Sequence, residues 1–144
     1  MNSEEMGRDS NLRNARRLGL VFFAYAIAIP FISFILPESG NPLTEGVAMV
    51  SWTLILIMPV DILLVYLIYW MLRKRSTSYV IMGPAVLMYA IATMPSIYVF
   101  VIGTINSALR YLAAPLGLIF SLTGLWLSLR FVSDLGEKAE PAYE

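Results

Sequence analysis

The stretch 18–36, LGLVFFAYAIAIPFISFIL, carries no charge over the length needed to cross a hydrocarbon core of about 30 Å. Three more runs of the same kind follow. Residues 47–72 are interrupted by one charge, Asp61; residues 79–103 have none; residues 111–132 meet only Arg130, near their end. Four apolar helices in 144 residues leave little chain for anything else, and 58% of the residues are apolar while only 14% are charged. Soluble domains hold about 45–50% and about 25%. The sequence therefore predicts an all-α integral membrane protein with four transmembrane helices. A cleaved leader is disfavoured for the first run, because Ile35-Leu36-Pro37 lacks the small-x-small pattern that signal cleavage needs.

The expected organisation is a polar, basic N-terminal segment (1–17), a four-helix transmembrane domain (18–132) and a polar, loose C-terminal tail (133–144). The links between spans are too short for a folded soluble domain. Arg8, Arg13, Arg16 and Arg17 precede the first span, Arg73, Lys74 and Arg75 fill the middle link, and Arg130 and Lys138 close the chain. Nine of the ten basic residues thus fall on one side, with Arg110 on the other. Because Lys and Arg mark cytoplasmic loops, both termini are expected in the cytoplasm, with the protein in the cell membrane. The link RKRSTS, 73–78, is expected to serve orientation and contact with anionic lipid. Trp52, Trp70, Tyr79 and Tyr111 suit interfacial belts, and Trp126, placed deeper, is expected to pack inside.

YAIA occurs at 25–28 and again at 89–92, each followed by a proline, Pro30 and Pro95. Pro59 precedes Trp70 by eleven residues and Pro115 precedes Trp126 by the same interval. These echoes suggest two helical hairpins related by duplication, with chance coincidence among few residue types as the rival.

With no Cys and no His, the usual ligands of zinc, haem and iron–sulfur clusters are missing, as are thiol chemistry and disulfides. No metal or cofactor is expected. Nor do the residues assemble paired carboxylates, a nucleophile with its base or a phosphate-cradling glycine loop, so no catalytic residue is assigned and an enzyme is not expected. Ten acidic residues cancel ten basic ones, which removes the bulk electrostatic case for nucleic acid.

Asp61 stands out, because an ionised carboxylate near the bilayer centre costs about 3 kcal/mol on insertion scales and such groups face protein or water. Counting about 1.5 Å per residue from the basic ends of the spans puts Asp61, Tyr89 and Ser121 at a common depth of roughly 15–17 Å, with Tyr25 at about 10 Å. The four are candidates for a proton or cation site or a contact with a partner subunit; the alternative is a hydrogen bond that sets helix register. Pro30, Pro59 and Pro95 free the carbonyls of Ala26, Ile55 and Ile91 from their intrahelical donors, a device of transporters with broken helices and also of ordinary kinked packing. On the last span, Ala113, Gly117, Ser121, Gly124 and Ser128 share one face, a small-residue surface that lets another helix approach. Ala24 and Ala28, then Ala92 and Ser96, are the expected partners.

The partners are thus the lipid bilayer and either other membrane subunits or further copies of the chain. The favoured function is a non-catalytic accessory or assembly subunit of a larger membrane complex. The alternative is a small homo-oligomeric proton or cation carrier or channel built on Asp61.

Overall fold

A computed structural model describes residues 3–35, 37, 44–74 and 82–138, with side chains described from Ser10 to Gly136 within those ranges. Four α-helices account for nearly all of them: α1 (Ser3–Ile35), α2 (Glu45–Lys74), α3 (Met82–Ile105) and α4 (Ser107–Lys138). Each is long and apolar enough to cross a membrane. Residues 79–81, expected at the start of the third span, and most of the 36–44 and 73–78 links lie outside the described residues.

Local chemistry sets the helix ends. The Thr44 hydroxyl accepts from the amide of Val47 at the start of α2, and Arg73 and Lys74 occupy its last turn, where cations complement the helix dipole. Asn106 is the single non-helical residue between α3 and α4. Its amide still donates to the carbonyl of Ile102 at 2.8 Å, while its side-chain oxygen caps Leu109 at 3.2 Å. The expected loop around 104–110 is thus a one-residue corner. Arg110, expected in that loop, lies buried in the first turn of α4 and donates to the carbonyl of Gly103 at 2.7 Å, bracing the end of α3.

Beyond this corner α3 and α4 pack antiparallel along their length, and small residues set their separation. The face expected from sequence is all buried. Gly117 lies so close to α3 that an added Cβ would overlap Val99 Cγ2 and come within 2.9 Å of the Pro95 carbonyl. Gly124 sits against Ala92, Ser121 bonds Ser96, and Ser128 reaches the carbonyl of Met88.

The other two helices flank this pair. α1 and α2 each contact both α3 and α4, but among the described residues they make no contact with each other. Two equivalent hairpins are therefore not what forms: α3 and α4 make one, while α1 and α2 are held apart by the pair between them. α1 approaches through Gly19, where a Cβ would fall 2.6 Å from Leu129 and 2.9 Å from Tyr89. Ala24 and Ala28, expected on this packing face, are exposed.

Helix also extends past the expected spans. Residues 3–17 are continuous with α1, and 133–138, expected in a loose tail, continue α4. Contacts hold these extensions together: Arg16 donates to the Ser133 hydroxyl at 3.2 Å, and Leu12 packs on Gly136.

Candidate polar site at mid-bundle

Two hydrophobic clusters fill the interior, one around Val65, Tyr89 and Leu125 and the other around Met58, Val99 and Ala113. Between them each of α2, α3 and α4 buries polar side chains: Asp61, then Thr93 and Ser96, then Ser121. Buried polar groups need partners, since an unmade hydrogen bond away from water costs about 1–3 kcal/mol.

One part of this layer is closed. Pro30 cannot supply the amide that the carbonyl of Ala26 would normally receive. Ser96 of α3 supplies a donor instead, its hydroxyl lying 2.9 Å from that oxygen. Ser121 of α4 lies 2.8 Å from the Ser96 hydroxyl and accepts from the Ser96 amide at 3.0 Å. The two hydroxyls and one amide form a directional chain in which Ser121 donates to Ser96 and Ser96 to Ala26, tying three helices at the kink.

The other part is open. Asp61 is 5% exposed and faces α3, where its hydrogen-bond partner is Tyr98. Its Oδ2 is buried and has no hydrogen-bond partner among the described residues. This departs from the layer that depth alone predicts. Side chains lean toward the N-terminus of their own helix, so Asp61 on α2 and a tyrosine on the antiparallel α3 lean in opposite directions. Tyr98, whose Cα lies closer to the Asn106 end, leans back to meet Asp61. Tyr89 leans away toward the basic end, where its ring packs on Phe22 and its hydroxyl lies beside Gly19 with the Arg16 charge on that side. That hydroxyl is also buried without a partner among the described residues.

Of the remaining candidates, Ser121 belongs to the closed chain and Tyr25 is 60% exposed on the outer face of α1. The structure therefore does not gather Asp61, Tyr89, Ser121 and Tyr25 around one point. Trp126, expected inside, is 56% exposed.

Sequence reading passed over three residue pairs. Tyr98 carries no periodic or motif signal, and its meeting with Asp61 follows only from helix polarity. Tyr69 donates to Asp134 at 2.5 Å, and its ring stacks on Phe131 with centroids 4.0 Å apart, joining α2 to α4 at the basic end. At the opposite end Asn106 reaches Ser51 at 3.4 Å.

Among the described residues no three His, Cys, Asp or Glu side chains come together as metal ligands would. Chemically, the layer offers interhelical ties and one carboxyl with a spare oxygen. No protein-family model, curated protein or solved structure matches the chain.

Proposed function

We propose that this chain is a non-catalytic polytopic membrane protein serving as an accessory or assembly subunit of a larger membrane complex, with both termini in the cytoplasm of the cell. The closed chain at mid-bundle supports this most directly: the carbonyl freed by Pro30, which could have faced an ion, accepts instead from Ser96. Polar groups there are used to hold helices together. Meanwhile α1 turns outward an exposed, largely apolar face of Leu20, Val21, Ala24, Tyr25 and Ala28. Two alanines one turn apart beside an exposed tyrosine suit close approach by a helix of another subunit.

Mild-detergent purification from native membranes tests the proposal. Defined heterologous partners are expected, and Ala24→Leu with Ala28→Leu should abolish their recovery while leaving the bundle folded. Recovery of the chain only with itself would overturn it. Orientation is tested by single-cysteine labelling, clean because the chain has no Cys. A cysteine at Thr44 should react with impermeant reagent in intact cells; reaction only after permeabilisation would reverse the topology.

The second proposal, a homo-oligomeric proton or cation carrier, draws on Asp61 Oδ2, a buried carboxylate oxygen without a partner among the described residues. It requires acidification of dye-loaded liposomes by the wild type and none by Asp61→Asn.

A further inference from the structure

We propose that the α4 face between α1 and α2, at the basic end of the bundle, is a binding site for a phospholipid with an anionic headgroup. This needs the bundle to lie in a bilayer but does not depend on its being a subunit.

Two contacts of the same design occur on the parallel helices α2 and α4. Lys74 lies over the ring of Trp70, with Nζ 3.5 Å from its centroid, and Arg130 lies 5.8 Å from the ring of Trp126. Each pairs a tryptophan with the basic residue one turn on, and each tryptophan is about half exposed. The Tyr69–Phe131 stack brings the two together. Because α2 and α4 run the same way, one step forward from Tyr69 and one step back from Phe131 turn to the same side of the stack. Trp70 and Arg130 lie on that side, both exposed, while Ile68 and buried Val132 lie on the opposite side and join the core cluster.

Contacts to its neighbours bound the same strip of α4. At 100° per residue, Arg130 falls between Asp134, which takes the Tyr69 hydroxyl of α2, and Ser133, which takes Arg16 of α1. Since α1 and α2 do not touch, no described part of the chain closes over this strip. Arg73 lies beside the Tyr69–Asp134 pair. Arg130 and Arg16 thus border the strip on α4, with Arg73 beside the Tyr69–Asp134 pair and Lys74 over Trp70 on the α2 side.

The strip has the dimensions of a lipid. Ile119, Trp126 and Arg130 lie nearly in line and are exposed. Eleven residues separate the first from the last, about 16 Å of helix, close to the roughly 15 Å of one leaflet's hydrocarbon. An acyl chain can lie along Ile119 and the tryptophan rings with its phosphate among Arg130, Arg16 and Lys74. Charge complementarity selects an anionic headgroup over a zwitterionic one.

Tryptophan quenching tests this in vesicles holding the full chain with Trp52→Phe, so that Trp70 and Trp126 alone report. Brominated phosphatidylglycerol is expected to quench at a mole fraction about tenfold lower than brominated phosphatidylcholine. Arg130→Gln or Lys74→Gln should reduce that preference about fivefold each, while Arg17→Gln, the same charge change facing away from the strip, should leave it intact. Soluble glycerol phosphate at millimolar concentration should displace nothing. Equal quenching by the two lipids, an equal effect of Arg17→Gln, or displacement by glycerol phosphate would each overturn the proposal.

Discussion

At mid-bundle, Ser96 fills a proline gap on α1 so that each polar atom of the Ser121–Ser96–Ala26 chain is partnered, whereas Asp61 on α2 holds Tyr98 and leaves one oxygen with no partner among the described residues. The closed site joins three helices and has no spare valence, as expected of a group kept for cohesion. The open site joins two and retains a carboxyl oxygen at a cost that cohesion does not require. The difference separates polar groups whose partners lie on neighbouring helices from a carboxyl that keeps one oxygen, like the Tyr89 hydroxyl, without a partner among the described residues.

Substitutions can break or sharpen that contrast. The largest effect is expected beside the closed site, at Gly117→Leu, where the new side chain meets Val99 and the Pro95 carbonyl. A loss of about 3 kcal/mol or more is expected in a detergent unfolding titration, against less than about 1 kcal/mol for Leu118→Ile. Equal stability of the two would show that helix approach at Gly117 does not limit packing.

Ser96→Ala comes next, because it strands the Ala26 carbonyl and takes from Ser121 the hydroxyl to which it donates, leaving it only the Ser96 amide. About 1–2 kcal/mol is expected by the same titration. Tyr98→Phe removes the one described partner of Asp61 and should cost about 1 kcal/mol. A double-mutant cycle of Asp61→Ala, which removes the acceptor, with Tyr98→Phe should give a coupling of about 0.6 to 1.7 kcal/mol, and a cycle of Asp61→Ala with Tyr89→Phe none. Coupling to Tyr89 instead would restore the layer that depth alone predicts.

Smallest of all is Asp61→Asn on its own, expected to change stability by less than about 0.6 kcal/mol, since the amide oxygen can still accept from Tyr98. If it destabilises as much as Ser96→Ala, the two sites do the same work and the contrast collapses.

What was legible in the sequence follows the range of each cause. Span number depends on local apolarity, and 18–36 needs no other information to be read. The small-residue face of α4 was legible because its period belongs to one helix. Its partners on α3 are short-range consequences of a one-residue corner. Tyr98 was illegible because its meeting with Asp61 depends on the opposite lean of side chains on antiparallel helices, which a count of depths discards. Trp126 was misjudged for a related reason: its depth was known, but the side of α4 it occupies is set by where α1 and α2 dock. Residues 133–138 look like a tail because their polarity is plain, whereas the contacts of Ser133, Asp134 and Gly136 that hold them in helix come from elsewhere in the chain.

The separation of α1 from α2 bears on how the molecule is made. Synthesis delivers α1 and α2 first, at a time when the surfaces on which both dock do not yet exist. Having no contact with one another among the described residues, they gain tertiary contacts only once α3 and α4 have followed. Among the described residues, every tertiary contact of the two earlier helices is made with the hairpin turned at Asn106. A chain stopped after Lys74 would leave two helices with no tertiary contact between them among the described residues.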